Sequence, residues 1–164
     1  MLPLRHLALG SLLLAAACGH DSPLGPPGEE GSPALSAARS RDYHKPQLVL
    51  DSRTPTETVG GDGNTYLMYD LSVRNSNSYP DELFAPAPEL PPCGLNTNSS
   101  RTWVFIYDGE GNYIYGFCGF QAASDLNLLW FAVLQGGVRP KQVYITITDR
   151  QTGTTYTSNR VRIP

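Results

Sequence analysis

The sequence predicts an all-β fold, a two-sheet antiparallel β-sandwich. Three observations carry this expectation. Short runs alternate apolar with polar residues, clusters of Gly, Asn, Asp and Pro separate those runs, and no stretch beyond the N-terminal apolar segment holds a sustained helical period. About seven short strands at such spacings suit two packed sheets better than an α/β enzyme.

Residues 47–164 carry these signals and suit one domain. Gln47 to Asp51 is a short apolar run, and the RTPTETVGGDGN that follows reads as turn. Tyr66 to Arg74 alternates, with Leu67, Tyr69, Leu71 and Val73 on one face, the pattern of a half-buried strand. Asn75 to Pro92 is too dense in proline for a central strand or a long helix, so it is expected as an extended surface loop pinned by Phe84, Leu90 and Cys93. Ser124 to Leu134 reads as a helical turn capped by Ser124, continuing as a strand through Trp130 and Val133 until Gly136-Gly137. Val143, Ile145 and Ile147 point inward on the next strand, with Tyr144, Thr146 and Thr148 outward. Asp149 to Gly153 makes a turn, and Thr154 to Ile163 returns as the last strand.

The stretch from Pro92 to Phe120 organises the rest. TWVFIY and YIYGF flank Asp108-Gly109-Glu110-Gly111-Asn112, a hairpin signature in which Gly111 supplies the left-handed residue of a three-residue loop. With Asp108 facing Asn112, the pairs are Tyr107 with Tyr113, Phe105 with Tyr115 and Trp103 with Phe117, against Ile106 with Ile114 and Val104 with Gly116. One face is then aromatic throughout and the other aliphatic, with Cys118 opposite Thr102 on the aliphatic side. Aromatic strand faces usually form core, and the aromatic face is therefore expected inside. The alternative is a surface platform of Trp103, Phe105, Tyr107, Tyr113, Tyr115 and Phe117 for stacking sugars or apolar peptide segments.

The chain opens with Arg5 in a short polar flank, an apolar run from Leu7 to Ala17 and small residues before Cys18. That is the grammar of an export signal, and the run falls short of the roughly 20 residues a permanent span needs. Ala15-Ala16-Ala17-Cys18 resembles the bacterial lipobox, with Leu14 one position further from the cysteine than usual. The resemblance implies a signal peptide over residues 1–17, cleavage before Cys18 and diacylation of its sulfur. Gly19 in the following position implies the outer membrane in a Gram-negative cell. Residues 18–46, rich in Pro, Gly, Ser and Ala, read as a flexible tether with a reach of roughly 30 Å. Assigning Cys18 to lipid leaves Cys93 and Cys118, which outside the cytoplasm are expected to form one disulfide.

The closing VYITITDRQTGTTYTSNRVRI resembles the last two strands of fibronectin type III and other immunoglobulin-like modules on bacterial surface proteins. The run SRTWVFIYDGEGNYIYGFCGF resembles segments of uncharacterised exported bacterial proteins. The first likeness implies an immunoglobulin-like sandwich, and the second implies no activity.

Twelve Lys and Arg stand against fifteen Asp and Glu, and no basic run favours nucleic acid or anionic lipid. Histidine-based nucleophilic chemistry has no support, because His20 and His44 lie in or beside the tether and no Gly-x-Ser-x-Gly elbow occurs. Nor is a catalytic or transition-metal constellation found. Asp108, Glu110 and Asn112 place oxygen ligands at alternate positions, as a short calcium loop begins, but the rest of that pattern fails at Tyr113 and Gly119. The carboxylates Asp81, Glu82, Asp108, Glu110 and Asp125 are candidates for hydrolytic chemistry only if the fold pairs two of them across a cleft. The expectation is a non-enzymatic, lipid-anchored envelope module without cofactor, held to the membrane by its N-terminal lipid. Its partner is an envelope protein or a glycan. A carbohydrate-binding module using the aromatic face is the second reading and a carboxylate hydrolase the third.

Overall fold

The structure, a computed structural model, describes residues 44–164. The proposed signal peptide, Cys18 and most of the tether lie outside those residues. Two antiparallel sheets form a β-sandwich, as the alternating patterns predict. In the first sheet β3 (Thr65–Val73) is central. β1 (Leu48–Leu50) and β2 (Thr56–Val59) pair end to end along one of its edges, and β6 (Leu129–Leu134) pairs along the other. In the second, β5 (Tyr113–Phe117), β4 (Thr102–Asp108) and β7 (Gln142–Asp149) run in that order. β8 (Thr155–Thr157) and β9 (Val161–Arg162) lie along the far edge of β7.

Register explains the core. The pairs Leu67 with Val133, Tyr69 with Phe131 and Leu71 with Leu129 gather the large side chains of β3 and β6 on one face. Opposite them, Val104 pairs with Ile147 and Ile106 with Ile145, and all four are fully buried. Each such burial stabilises the fold by about 1.5 to 3 kcal/mol. The inward positions of β3 and β7 are therefore those the period-two pattern marks.

Tyr69 stacks on Phe131 with ring centroids 5.1 Å apart, yet its buried hydroxyl has no hydrogen-bond partner. An unmade buried bond costs about 1 to 3 kcal/mol, so Tyr69→Phe is expected to raise stability by about 1 kcal/mol in urea unfolding. A clear loss would mean the hydroxyl is satisfied in solution.

Four segments depart from the expected layout. The TETV expected as turn forms β2, closed against β3 by a loop in which Gly60 N–H donates to the Asn64 carbonyl. Asp62 braces this loop by accepting from Asn64 and the Tyr66 hydroxyl. Asn75 to Pro92 is only partly a surface loop. Two 3-10 turns, Ser76–Ser78 and Asp81–Leu83, bury Tyr79, Leu83, Phe84 and Ala87 in or beside the core. Proline excludes this segment from a sheet, but apolar residues between the prolines still gain by burial. The third helical turn, Ala123–Asn127, is capped by Asp125, which accepts from the Gln121 and Ala122 N–H groups, rather than by Ser124.

The last expected strand is broken in two. Ser158 binds Ile145 through both its N–H and its hydroxyl oxygen, after which Asn159 leaves β7 to hold Leu48. The Asn159 side chain accepts from Leu48 N–H and donates to Leu48 C=O at 2.9 Å each, taking the place of a neighbouring strand on the edge of β1.

Candidate binding face

The hairpin of β4 and β5 builds the candidate site. Its loop closes as expected, with Asp108 N–H donating to the Asn112 carbonyl and Gly111 at φ 96°. The Asp108 carboxylate accepts from Glu110 N–H, Asn112 N–H and the Asn112 side-chain amide. Those bonds, led by the one from the Asn112 side chain, hold its carboxyl below the usual range. Asp108, Glu110 and Asn112 are thus joined in a turn, with the Asn112 amide nitrogen directed at Asp108. Among the described residues no group of three or more His, Cys, Asp or Glu side chains is placed to hold a metal ion.

Beyond Tyr107 and Tyr113 the register shifts by one residue. Ile106 pairs with Tyr115, Phe105 with Gly116 and Val104 with Phe117, leaving Ile114 as the extra residue of a β-bulge. The expected pairs of Phe105 with Tyr115, Trp103 with Phe117, Ile106 with Ile114 and Val104 with Gly116 are not formed. Gly116 explains part of the shift. A Cβ there would lie 2.7 Å from a Phe105 ring carbon, so only glycine lets that ring lie over β5. Cys118 also loses its place opposite Thr102, and its carbonyl accepts from Ser100 N–H instead.

The shift divides the six aromatic residues. Trp103, Phe105, Tyr107 and Tyr113 share the outer face of the second sheet, while Tyr115 and Phe117 fall on the side of Val104 and Ile106. There Tyr115 and Phe117 meet Trp130 of β6 at 4.8 and 5.9 Å and close one edge of the sandwich. The expectation that the aromatic face forms the core is overturned. The aliphatic face of β4 is the buried one, because β7 offers it Ile145 and Ile147.

On the outer face β4 pairs with β7, setting Trp103 beside Thr148, Phe105 beside Thr146 and Tyr107 beside Tyr144. β8 continues those rows with Thr155 and Thr157. Consecutive rings along β4 and across to Tyr113 meet edge to face, with interplanar angles of 65° to 83°. Tyr107 and Tyr144 stack at 20°. The rings therefore brace one another and do not form the coplanar platform that a stacking sugar site requires. Trp103, Phe105, Tyr107 and Tyr144 are half-buried, and Tyr113 is 61 % exposed.

Arginine completes the face. The Arg150 guanidinium lies 4.1 Å from the Trp103 ring centroid and donates to Ser99, to the Ser100 carbonyl and to the Pro91 carbonyl. Arg160 lies 5.3 Å from the Tyr144 ring. Beside this cluster Cys93 and Cys118 form a disulfide, their Cα atoms 6.4 Å apart. Three of the five candidate carboxylates are held at turns: Asp81 accepts from Ala123 N–H, Asp125 from Gln121 and Ala122 N–H, and Asp108 within its hairpin. His44 stands at the start of the described chain, where its carbonyl accepts from the buried Tyr79 hydroxyl.

The chain matches no protein-family model, no curated protein and no solved structure. Tyr144, Thr146 and Thr148 were legible as outward residues. Their place beside Trp103, Phe105 and Tyr107 was not, since it depends on the long-range pairing of β4 with β7. Trp130 and the two arginines carried no local signal.

Proposed function

We propose that this protein is a non-enzymatic binding or structural module of a bacterial cell envelope, anchored by lipid at Cys18, that engages its partner through the outer face of the second sheet. The observation that carries the reading is the composition of that face. A solvent-facing sheet surface ordinarily alternates to charged and polar residues, whereas here Trp103, Phe105, Tyr107, Tyr113 and Tyr144 adjoin four threonines. Half-exposed aromatic residues over a rigid sheet are good interface residues, because little side-chain entropy remains to be lost. The turn duties of Asp81, Asp108 and Asp125 favour binding over carboxylate hydrolysis. An immunoglobulin-like family origin fits the two-sheet layout and the closing hairpin of β7 and β8.

Anchoring has a direct test. Cys18→Ser is expected to abolish acyl labelling in a bacterial host and to leave the protein unprocessed or released. Unchanged membrane association and unchanged labelling would contradict the anchor. The edge-to-face rings weigh against a sugar site built on stacking alone, and a glycan partner must be recognised by other groups on this face.

A further inference from the structure

Charge on the same face supplies those groups, and the inference that follows rests on the outer-face reading above. Strand alternation places Trp103, Phe105, Tyr107, Tyr113, Gln142, Tyr144, Thr146, Thr148, Thr155, Thr157 and Arg162 outward, with no Asp or Glu among them. Arg150 and Arg160 lie over two of its rings. Among the described residues, no carboxylate therefore projects from the strand positions of this face. The ion pair among the described residues is Arg101 with Asp149, so the exposed Arg160 and Arg162 pair with no carboxylate there. Arg150 differs, donating three hydrogen bonds, to Ser99, Ser100 and Pro91.

We propose that the outer face binds an acidic polysaccharide, a chain of carboxylate-bearing sugars lying across β4, β7 and β8. Arg160 and Arg162 would take the carboxylates, with their planar donors matched to that geometry. The threonine rows and tyrosine hydroxyls would take sugar hydroxyls, and Tyr113 offers an exposed ring to an apolar sugar face. Thr148 and Thr155 already bond hydroxyl to hydroxyl at 3.0 Å, which fixes their spacing across the strands. A polymer is favoured over a single sugar because exposed charge pairs are individually weak, and several must act together.

The test is calorimetric titration of the full chain, in detergent, with a galacturonate hexamer and with a neutral maltohexaose. The acidic hexamer is expected to bind at least about tenfold more tightly, and Arg160→Gln with Arg162→Gln to weaken it about tenfold, two exposed charge pairs at up to about fivefold each. Binding should fall in about 1 M salt, where screening acts over about 3 Å. The paired lysine substitutions should keep the salt-sensitive attraction but bind more weakly than wild type, since an ammonium lacks the planar fork that pairs with a carboxylate. Equal affinity for the two hexamers, no binding, or indifference to the arginine substitutions would overturn the proposal. So would arginine-dependent sedimentation with phosphatidylglycerol vesicles in place of hexamer binding. A photo-crosslinker at Tyr113 separates the two readings. If it captures an envelope protein while the hexamer fails, the polysaccharide is wrong and the binding face stands; if it captures nothing in intact envelopes either, both fall.

Discussion

Asp149→Ala is expected to cost about 3 kcal/mol of stability, among the largest losses available to a single polar substitution here. Asp149 ends β7 with its side chain only 6 % exposed and accepts two hydrogen bonds from Arg101, at 2.9 and 2.7 Å. It also accepts from Gln151 N–H and the Thr152 hydroxyl, so it closes the turn before β8. Removing it takes the bidentate carboxylate away from the Arg101 guanidinium at the start of β4. The Arg101 side chain is 29 % exposed and can turn toward water, which places the estimate at the lower end for a broken buried pair.

The same group sets an acid limit. Burial raises the Asp149 carboxyl pKa, but the bonds from Arg101, Thr152 and Gln151 outweigh it and hold the pKa below the usual value. A depressed folded pKa contributes stability above the unfolded value of about 3.9, lost as pH falls through the folded one. Urea unfolding of the wild type should therefore weaken below about pH 4, and the Asp149→Ala variant should show less of that slope. A loss under about 1 kcal/mol at neutral pH would show that the pair only decorates the surface.

The second large effect is expected from the disulfide. Cys93 and Cys118 enclose 25 positions of sequence, and closing a loop of that size stabilises by about 3 kcal/mol in the chain-entropy account. Replacing both with serine should lower the melting temperature by roughly 10 °C. The staple fixes the end of the proline-rich segment, whose Pro91 carbonyl accepts from Arg150 over Trp103. That segment is also clipped to the start of β4, where Thr102 donates to the Leu83 carbonyl and Ala87 N–H to Ser99. Equal melting of oxidised and reduced wild type would contradict a stabilising role.

How legible this fold was depended on whether the deciding contacts were local. β3 and β7 were readable because period-two burial is written within each strand, as at Leu67 to Val73 and Val143 to Ile147. The hairpin loop was readable from Gly111-Asn112. The same Gly-Asn ending at Gly63-Asn64 marks the β2 and β3 turn, but Thr56 to Val59, exposed throughout and apolar only at Val59, carries no alternation that marks a strand. The bulge at Ile114 was not readable, since it answers to where the Phe105 ring must lie. Nor could the hairpin alone say which face is buried. Both its faces are apolar, and the choice was made by Ile145 and Ile147 in a strand some forty residues away.

The outward aromatic face is the central claim, and hydroxyl-radical footprinting of the full chain read by mass spectrometry tests it most directly. Tyr113 should label fastest and Trp103, Phe105, Tyr107 and Tyr144 measurably, while Ile106, Ile145, Phe84 and Phe131 stay protected. Protection of Tyr113 and Phe105 together with labelling of Ile106 would mean that the sheet is packed the other way round, and would contradict the account.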